Sequence, residues 1–171
     1  PEYSVEAEST VEGFENYKND SIEIINYLGN LKLPFIAIKC TGLMDIASLE
    51  KISRGDINEE SYEYKSFFKR VDELCSAGKK NNVKILIDAE ESWIQDSIDK
   101  VGLDMMRKYN KKCSNVFITH QCYRTGTLEK IKGYLVLANT EKFNLGVKLV
   151  RGAYMEKERK NALDNNYPSP I

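Results

Sequence analysis

An α/β fold on a parallel sheet is what the sequence predicts, and three observations carry the prediction. Short apolar runs alternate along the chain with segments of helical periodicity. The runs are nearly continuous in apolar residues, as strands covered on both faces are. The turn after the first run reads EAES and holds no glycine, whereas a doubly wound nucleotide binder carries a Gly-rich turn there. That points to a (β/α)8 TIM-type barrel, of which the chain supplies about the first five βα units. A closed barrel takes eight units and about 250 residues, so the 171 residues read as one partial barrel domain over 1–171.

The elements follow in order. Tyr3 to Ala7 reads as the end of a strand. Ser9, Thr10, Val11 and Glu12 have the Ser-x-x-Glu form of a capping box, opening a helix to about Gly29. Pro34 to Cys40 (PFIAIKC) is a buried strand, and residues 59–81 form a helix with Phe67, Val71, Leu74 and Cys75 on one side. Lys84 to Ile87 (KILI) is the next strand. Ile94, Ile98, Val101 and Met105 mark the inner face of the helix behind it. Asn115 to Thr119 (NVFIT) is a strand, Thr127 to Lys142 a helix, Val147 to Val150 the fifth strand, and Met155 to Ala162 the start of a fifth helix.

Composition excludes several function classes. Hydrophobic residues make up 42% and charged residues 30%, the balance of an ordinary soluble globular protein. A net charge of -1 offers no basic field for nucleic acid and no polybasic arm for a membrane. No run of about eighteen apolar residues marks a transmembrane helix, and PEYSVEAEST lacks the layout of a signal peptide. Cys40, Cys75, Cys113 and Cys122 have no metal-type spacing and read as reduced, mostly buried thiols. With His120 the single histidine, multi-histidine metal centres are excluded, and no metal is expected.

Chemistry in a parallel sheet gathers where strands end and helices begin. The five ends present Glu6, then Lys39-Cys40-Thr41, Asp88-Ala89-Glu90-Glu91, His120-Gln121-Cys122-Tyr123, and Lys148 through Tyr154. Each has a plain reading beside a functional one. Lys39 follows four apolar residues and needs a partner if buried. Asp88 could cap the next helix, and Glu90 and Glu91 read as first-turn acids, at least one of them solvated. His120 alternates with Gln121 and so points to the opposite face, where a lone histidine reads as structural. Together, Lys39, Lys148, Glu6, Asp88 and a carboxamide make a site for a zwitterion or charged cofactor. Arg151-Gly152-Ala153-Tyr154 adds a bend where backbone can approach a ligand, ahead of a helix N-terminus.

AIKCTGL (37–43), LIDAEES (86–92), THQCYRTG (119–126) and KLVRGAYMEKER (148–159) resemble successive strand ends of the proline dehydrogenase family. The resemblance implies an FAD enzyme that oxidises L-proline to 1-pyrroline-5-carboxylate by hydride transfer to flavin N5 and passes electrons to a quinone. It implies substrate-pocket roles for Lys39 and Glu6 and catalytic roles for Asp88 and Lys148. Cofactor contacts are implied at Ala89, Gln121, Lys148, Arg151, Gly152, Ala153 and Tyr154. The family's paired arginines for the substrate carboxylate have no counterpart here, for the sequence contains no Arg-Arg pair. The fragment alone is therefore expected neither to close a barrel nor to bind proline well.

Other readings stay open at this level: a relative preferring hydroxyproline, a barrel lyase or aldolase using Lys39 as a Schiff-base amine, or a noncatalytic interaction domain. The expected location is a reducing compartment, bacterial cytoplasm with peripheral contact to a quinone-bearing inner membrane, and a mitochondrial origin stays open.

Overall fold

The computed structural model describes residues 8–171. Four strands, β1 (Phe35–Ile38), β2 (Lys84–Ile87), β3 (Val116–Gln121) and β4 (Val147–Val150), form one parallel sheet in the order β1-β2-β3-β4. Sequential order with helical returns is the pattern of a (β/α)8-type barrel, here as four successive strands of its wall. The first expected strand, Tyr3 to Ala7, lies outside the described residues.

Two faces of the sheet have opposite character. Ile36, Ile38, Ile85, Ile87, Val116 and Ile118 turn toward the helices and are at most 2% exposed. Ala37, Leu86 and Phe117 alternate with them on the other face. The cover consists of α1 (Val11–Asn30), α3 (Tyr62–Asn81), α4 (Gln95–Tyr109) and α5 (Thr127–Glu141). In α1 the buried residues Phe14, Tyr17, Ile25 and Leu28 recur at helical spacing, and Tyr17, Ile25 and Leu28 pack with Phe67, Val71 and Leu74 of α3 in one core. Contact between α4 and β3 is close at Gly102, where an added Cβ would lie 2.2 Å from Ile118 Cγ2.

Several boundaries depart from the sequence reading. Thr10, not Ser9, caps α1: its Oγ1 accepts from Gly13 N at 3.0 Å, while the Ser9 N–H donates to Glu8. A nine-residue helix, α2 (Ile46–Arg54), lies in a stretch given no element, with Asp45 as N-cap and Gly55 in the left-handed conformation after it. The helix expected over 59–81 starts at Tyr62, because Ser61 accepts from Tyr64 N and fixes the first turn there. All four cysteines are free, but only Cys40 and Cys75 are buried; Cys113 and Cys122 are exposed because they lie in connections rather than on packed faces.

Candidate active site

Parallel register builds the site. Ile38 pairs with Ile87, Ile87 with Ile118, and Thr119 with Lys148. One residue further along each strand, Lys39, Asp88, Thr119 and Lys148 therefore share one transverse row on the face opposite the isoleucines. Lys148 reaches over β3 and bonds the carboxylate of Asp88, whose Oδ1 also lies 3.4 Å from Thr119 Oγ1. Asp88 thus serves as an ion-pair partner and not as a helix cap; α4 starts after Ile94 with no side-chain cap.

A second tier of polar groups sits above this row. Glu90 accepts from Thr41 N at 3.1 Å and from Thr41 Oγ1 at 2.5 Å, which ties the β2 end to the 3-10 turn Cys40–Gly42 after β1. Burial pushes the Glu90 carboxyl up to about 7, against the lowering effect of the Thr41 hydrogen bonds. Gln121 Nε2 donates to Glu90 O at 2.9 Å, and the buried Gln121 Oε1 accepts from no donor among the described residues. Its neighbour His120 faces the other way and packs on the Tyr134 ring of α5, centroids 5.8 Å apart.

The expectation that Glu90 or Glu91 is solvated is wrong: they are 2% and 5% exposed. Because α4 begins only at Gln95, the intervening loop folds inward and carries both carboxylates to distant partners. Glu91 pairs with Lys157 at 2.9 Å. Next to it, Ser92 N donates to Glu158 Oε1 at 2.5 Å, and Glu158 is fully buried. Lys157 and Glu158 belong to the first turn of α6 (Met155–Asp164). The β2 loop and the β4 loop are thereby cross-tied.

Beyond β4 the chain bends through Gly152 at φ 104 and Tyr154 at φ 68. A tyrosine in the left-handed region carries backbone strain, which the packing around it sustains. Its ring receives the Lys39 ammonium 6.0 Å from the centroid and the Lys157 ammonium at 5.2 Å. The Tyr123 hydroxyl bonds Ala153 O. An open cleft of about 580 Å³ is lined here by Lys39, Gly152, Ala153, Tyr154, Lys157 and Arg159, among others.

Of the residues singled out in the sequence, Lys39, Gly152, Ala153 and Tyr154 share this cleft. Asp88 and Lys148 pair in the row that Lys39 begins, and Gln121 and Ala89 are buried behind the mouth. Arg151 is exposed and not among the cleft's lining residues, and Glu6 lies outside the described residues. Sequence reasoning missed Thr119, Glu158 and the link from Thr41 to Glu90. Thr119 was open to detection from strand alternation; Glu158 lies in the charged run MEKERK, which reads as a solvated face. Among the described residues no cluster of His, Cys, Asp and Glu could hold a metal ion, and no helix is long and apolar enough to cross a membrane.

The chain is 39% identical over 124 residues to proline dehydrogenase 1, mitochondrial, of Caenorhabditis elegans, covering 72% of this chain and 20% of that protein. It is 38% identical over 113 residues to the Drosophila melanogaster protein of the same name, covering 66% and 17%. The chain thus spans about a fifth of the length of these curated relatives. Its fold superposes on proline utilization A (PutA) from Bdellovibrio bacteriovorus inactivated by N-propargylglycine, with a TM-score of 0.82. That match covers 98% of this chain and 19% of that one at 19% identity. The proline dehydrogenase family model matches residues 1–171 from end to end, and the chain belongs to that family.

Proposed function

We propose that this chain is an N-terminal part of the catalytic domain of a flavin-dependent proline dehydrogenase, converting L-proline to 1-pyrroline-5-carboxylate and delivering electrons to a quinone. The observation that carries the reading is the row Lys39–Asp88–Thr119–Lys148, four strand-end side chains of alternating charge and hydrogen-bonding character facing one mouth. A zwitterionic amino acid needs a cation for its carboxylate and a polar, shielded place for its ring nitrogen, and the row supports both. Lys39 is assigned to the substrate carboxylate. Asp88 is assigned to the pocket's acid, held in place by Lys148 and Thr119. Glu6 keeps its assignment to the substrate side.

The residues also fit FAD. The buried Gln121 Oε1 without a partner, the Gly152 position with no atom within 4 Å of an added Cβ, and the adjoining cleft are what an extended, hydrogen-bonding cofactor requires. Ala89, Gln121 and Lys148 would hold the ring end, and Arg151, Gly152, Ala153 and Tyr154 the ribityl and phosphate part. When bound, FAD supplies the two-electron acceptor for the hydride leaving the substrate's ring carbon. Lys148 places positive charge beside the mouth, which favours a state in which negative charge develops there over the ground state. Lys157 and Glu158 hold the β4 loop against the β2 loop, keeping Tyr154 over the cleft.

The experiment is an absorbance spectrum of the full-length protein, followed by anaerobic addition of L-proline. Flavin bands that bleach with proline bear the reading out, and hydroxyproline in a parallel cell ranks the two substrates. A colourless protein that FAD does not reconstitute, and whose Lys39 is trapped by borohydride with a carbonyl substrate, overturns it in favour of a lysine-dependent barrel.

A further inference from the structure

A separate cavity of about 140 Å³ lies on the helix-facing side of β3, where the strand's end meets the first turns of α4 and α5. Asp99, His120, Arg124, Gly126, Thr127 and Lys130 contribute to its lining. Its polar groups do not balance. Asp99 is saturated: Oδ1 accepts from Gln95 Nε2 at 2.8 Å, and Oδ2 accepts from the Tyr134 hydroxyl at 3.1 Å and pairs with Lys130 at 2.7 Å. Lys130 also bonds Asp96 at 2.8 Å. These acids and the lysine answer one another.

The donors beside them do not. His120 is 4% exposed, and its Nε2 has no partner among the described residues. Arg124 Nε is likewise buried and unpartnered. Both line the cavity together with the N-terminus of α5, a 15-residue helix whose N-cap Gly126 offers no side chain. The hydroxyls flanking Gly126 are directed elsewhere: Thr127 Oγ1 donates to Gln121 O at 2.9 Å and Thr125 Oγ1 to Pro170 O at 3.2 Å. First-turn amides therefore add their positive end to the guanidinium. Burial holds the His120 ring neutral, so the ring can present a single N–H without bringing a charge of its own.

Buried donors without acceptors cost free energy unless something supplies the acceptors. We propose that this cavity binds a compact phosphate-class oxyanion, held by Arg124, His120 and the N-terminus of α5. The space admits one such group and is too small for a nucleotide. The ligand's donors, Arg124, His120 and the α5 amides, are not members of the polar row, although Thr119 and Gln121 of β3 also contribute to the cavity's lining. The shared chemistry is a phosphate group, either free or at the end of a monoester small enough to leave its remaining atoms outside.

The test is calorimetric titration of the full-length protein with inorganic phosphate at constant ionic strength. One saturable site is expected. Arg124→Met should weaken it roughly tenfold or more, the loss of one charge-assisted hydrogen bond, and His120→Phe should weaken it likewise. Arg54→Met, at an exposed position of α2 outside both cavities, should leave it unchanged. Phosphoethanolamine titrated in parallel separates the sources: competition with phosphate assigns a monoester, and its absence assigns the free ion. Because Arg124 is only half-buried, its variant should fold even where the His120 variant does not, and circular dichroism checks that. No saturable binding, or binding undiminished in Arg124→Met, overturns the proposal and leaves a cavity filled by water.

Discussion

Lys148 of β4 bonds Asp88, just past the end of β2, across 60 residues of sequence and across the intervening strand, with Thr119 of β3 beneath the contact. Their side chains are 29% and 14% exposed, so the pair is shielded from bulk water without being sealed in. An ammonium that spans two inter-strand spacings stiffens the row it crosses. It also fixes which way the carboxylate faces.

Asp88→Asn and Lys148→Met should each lower kcat/KM for proline in the full-length enzyme by about 100-fold or more, the scale of a lost preorganised electrostatic contact. The double variant should be little worse than either single one, because the two groups act as a unit. Steady-state kinetics on the four proteins checks this; simple additivity would separate the roles.

Glu90 sets a pH dependence. Its carboxyl is raised to about 7 by burial, while the unfolded chain titrates near the ordinary carboxylate value of about 4.3. Between those values the folded state holds a proton that the unfolded state has released, so stability falls as pH rises through this window and levels off above it. The loss should be on the order of 3 kcal/mol between pH 5 and 8. Glu90→Gln keeps the shape and remains neutral, so urea denaturation of that variant should lose this part of the slope and be more stable than the parent at pH 8.

Glu158 anchors α6 through Ser92 N. Glu158→Ala leaves that N–H without its acceptor and should cost about 1–3 kcal/mol in denaturant unfolding. It should also raise KM for proline more than it lowers kcat, since the effect reaches the cleft only through the position of Tyr154. A fall in kcat at unchanged KM would place Glu158 closer to the chemistry.

Two helix glycines should respond in opposite directions. Gly102→Ala drives a methyl into Ile118 and should destabilise by about 1–3 kcal/mol. Gly133→Ala in α5 meets nothing within 4 Å and should stabilise by about 0.5–1 kcal/mol through helix propensity. Thermal denaturation of both variants is sufficient.

The strands were legible because PFIAIKC, KILI, NVFIT and VKLV are apolar runs too short for helices, and their polar ends fall at one mouth once the strands run parallel. Helix α2 was hidden because nine residues with two buried side chains, Leu49 and Ile52, make too narrow a stripe. Its signals were the Asp45 cap and Gly55. The burial of Glu90 was not legible, since its partner Thr41 lies 49 residues away, and Ser92 reaches Glu158 over 66. Local pattern announces which face a strand residue takes, but not which distant loop folds down upon it. The capping box at Ser9 misled for a smaller reason: Thr10 offers the same hydroxyl one residue later.

The transverse row has a kinetic corollary. Its four members are separated by helical excursions, so the row cannot exist in any local piece of the chain and must wait for three long-range strand pairings. A slip of one residue in any strand would drive a charged or hydroxyl side chain into the apolar layer of Ile38, Ile87, Ile118 and Val147 and pull one of those residues out of it. The row proposed for the substrate side therefore also acts as a check on alignment during folding, because misaligned sheets are penalised at those same positions.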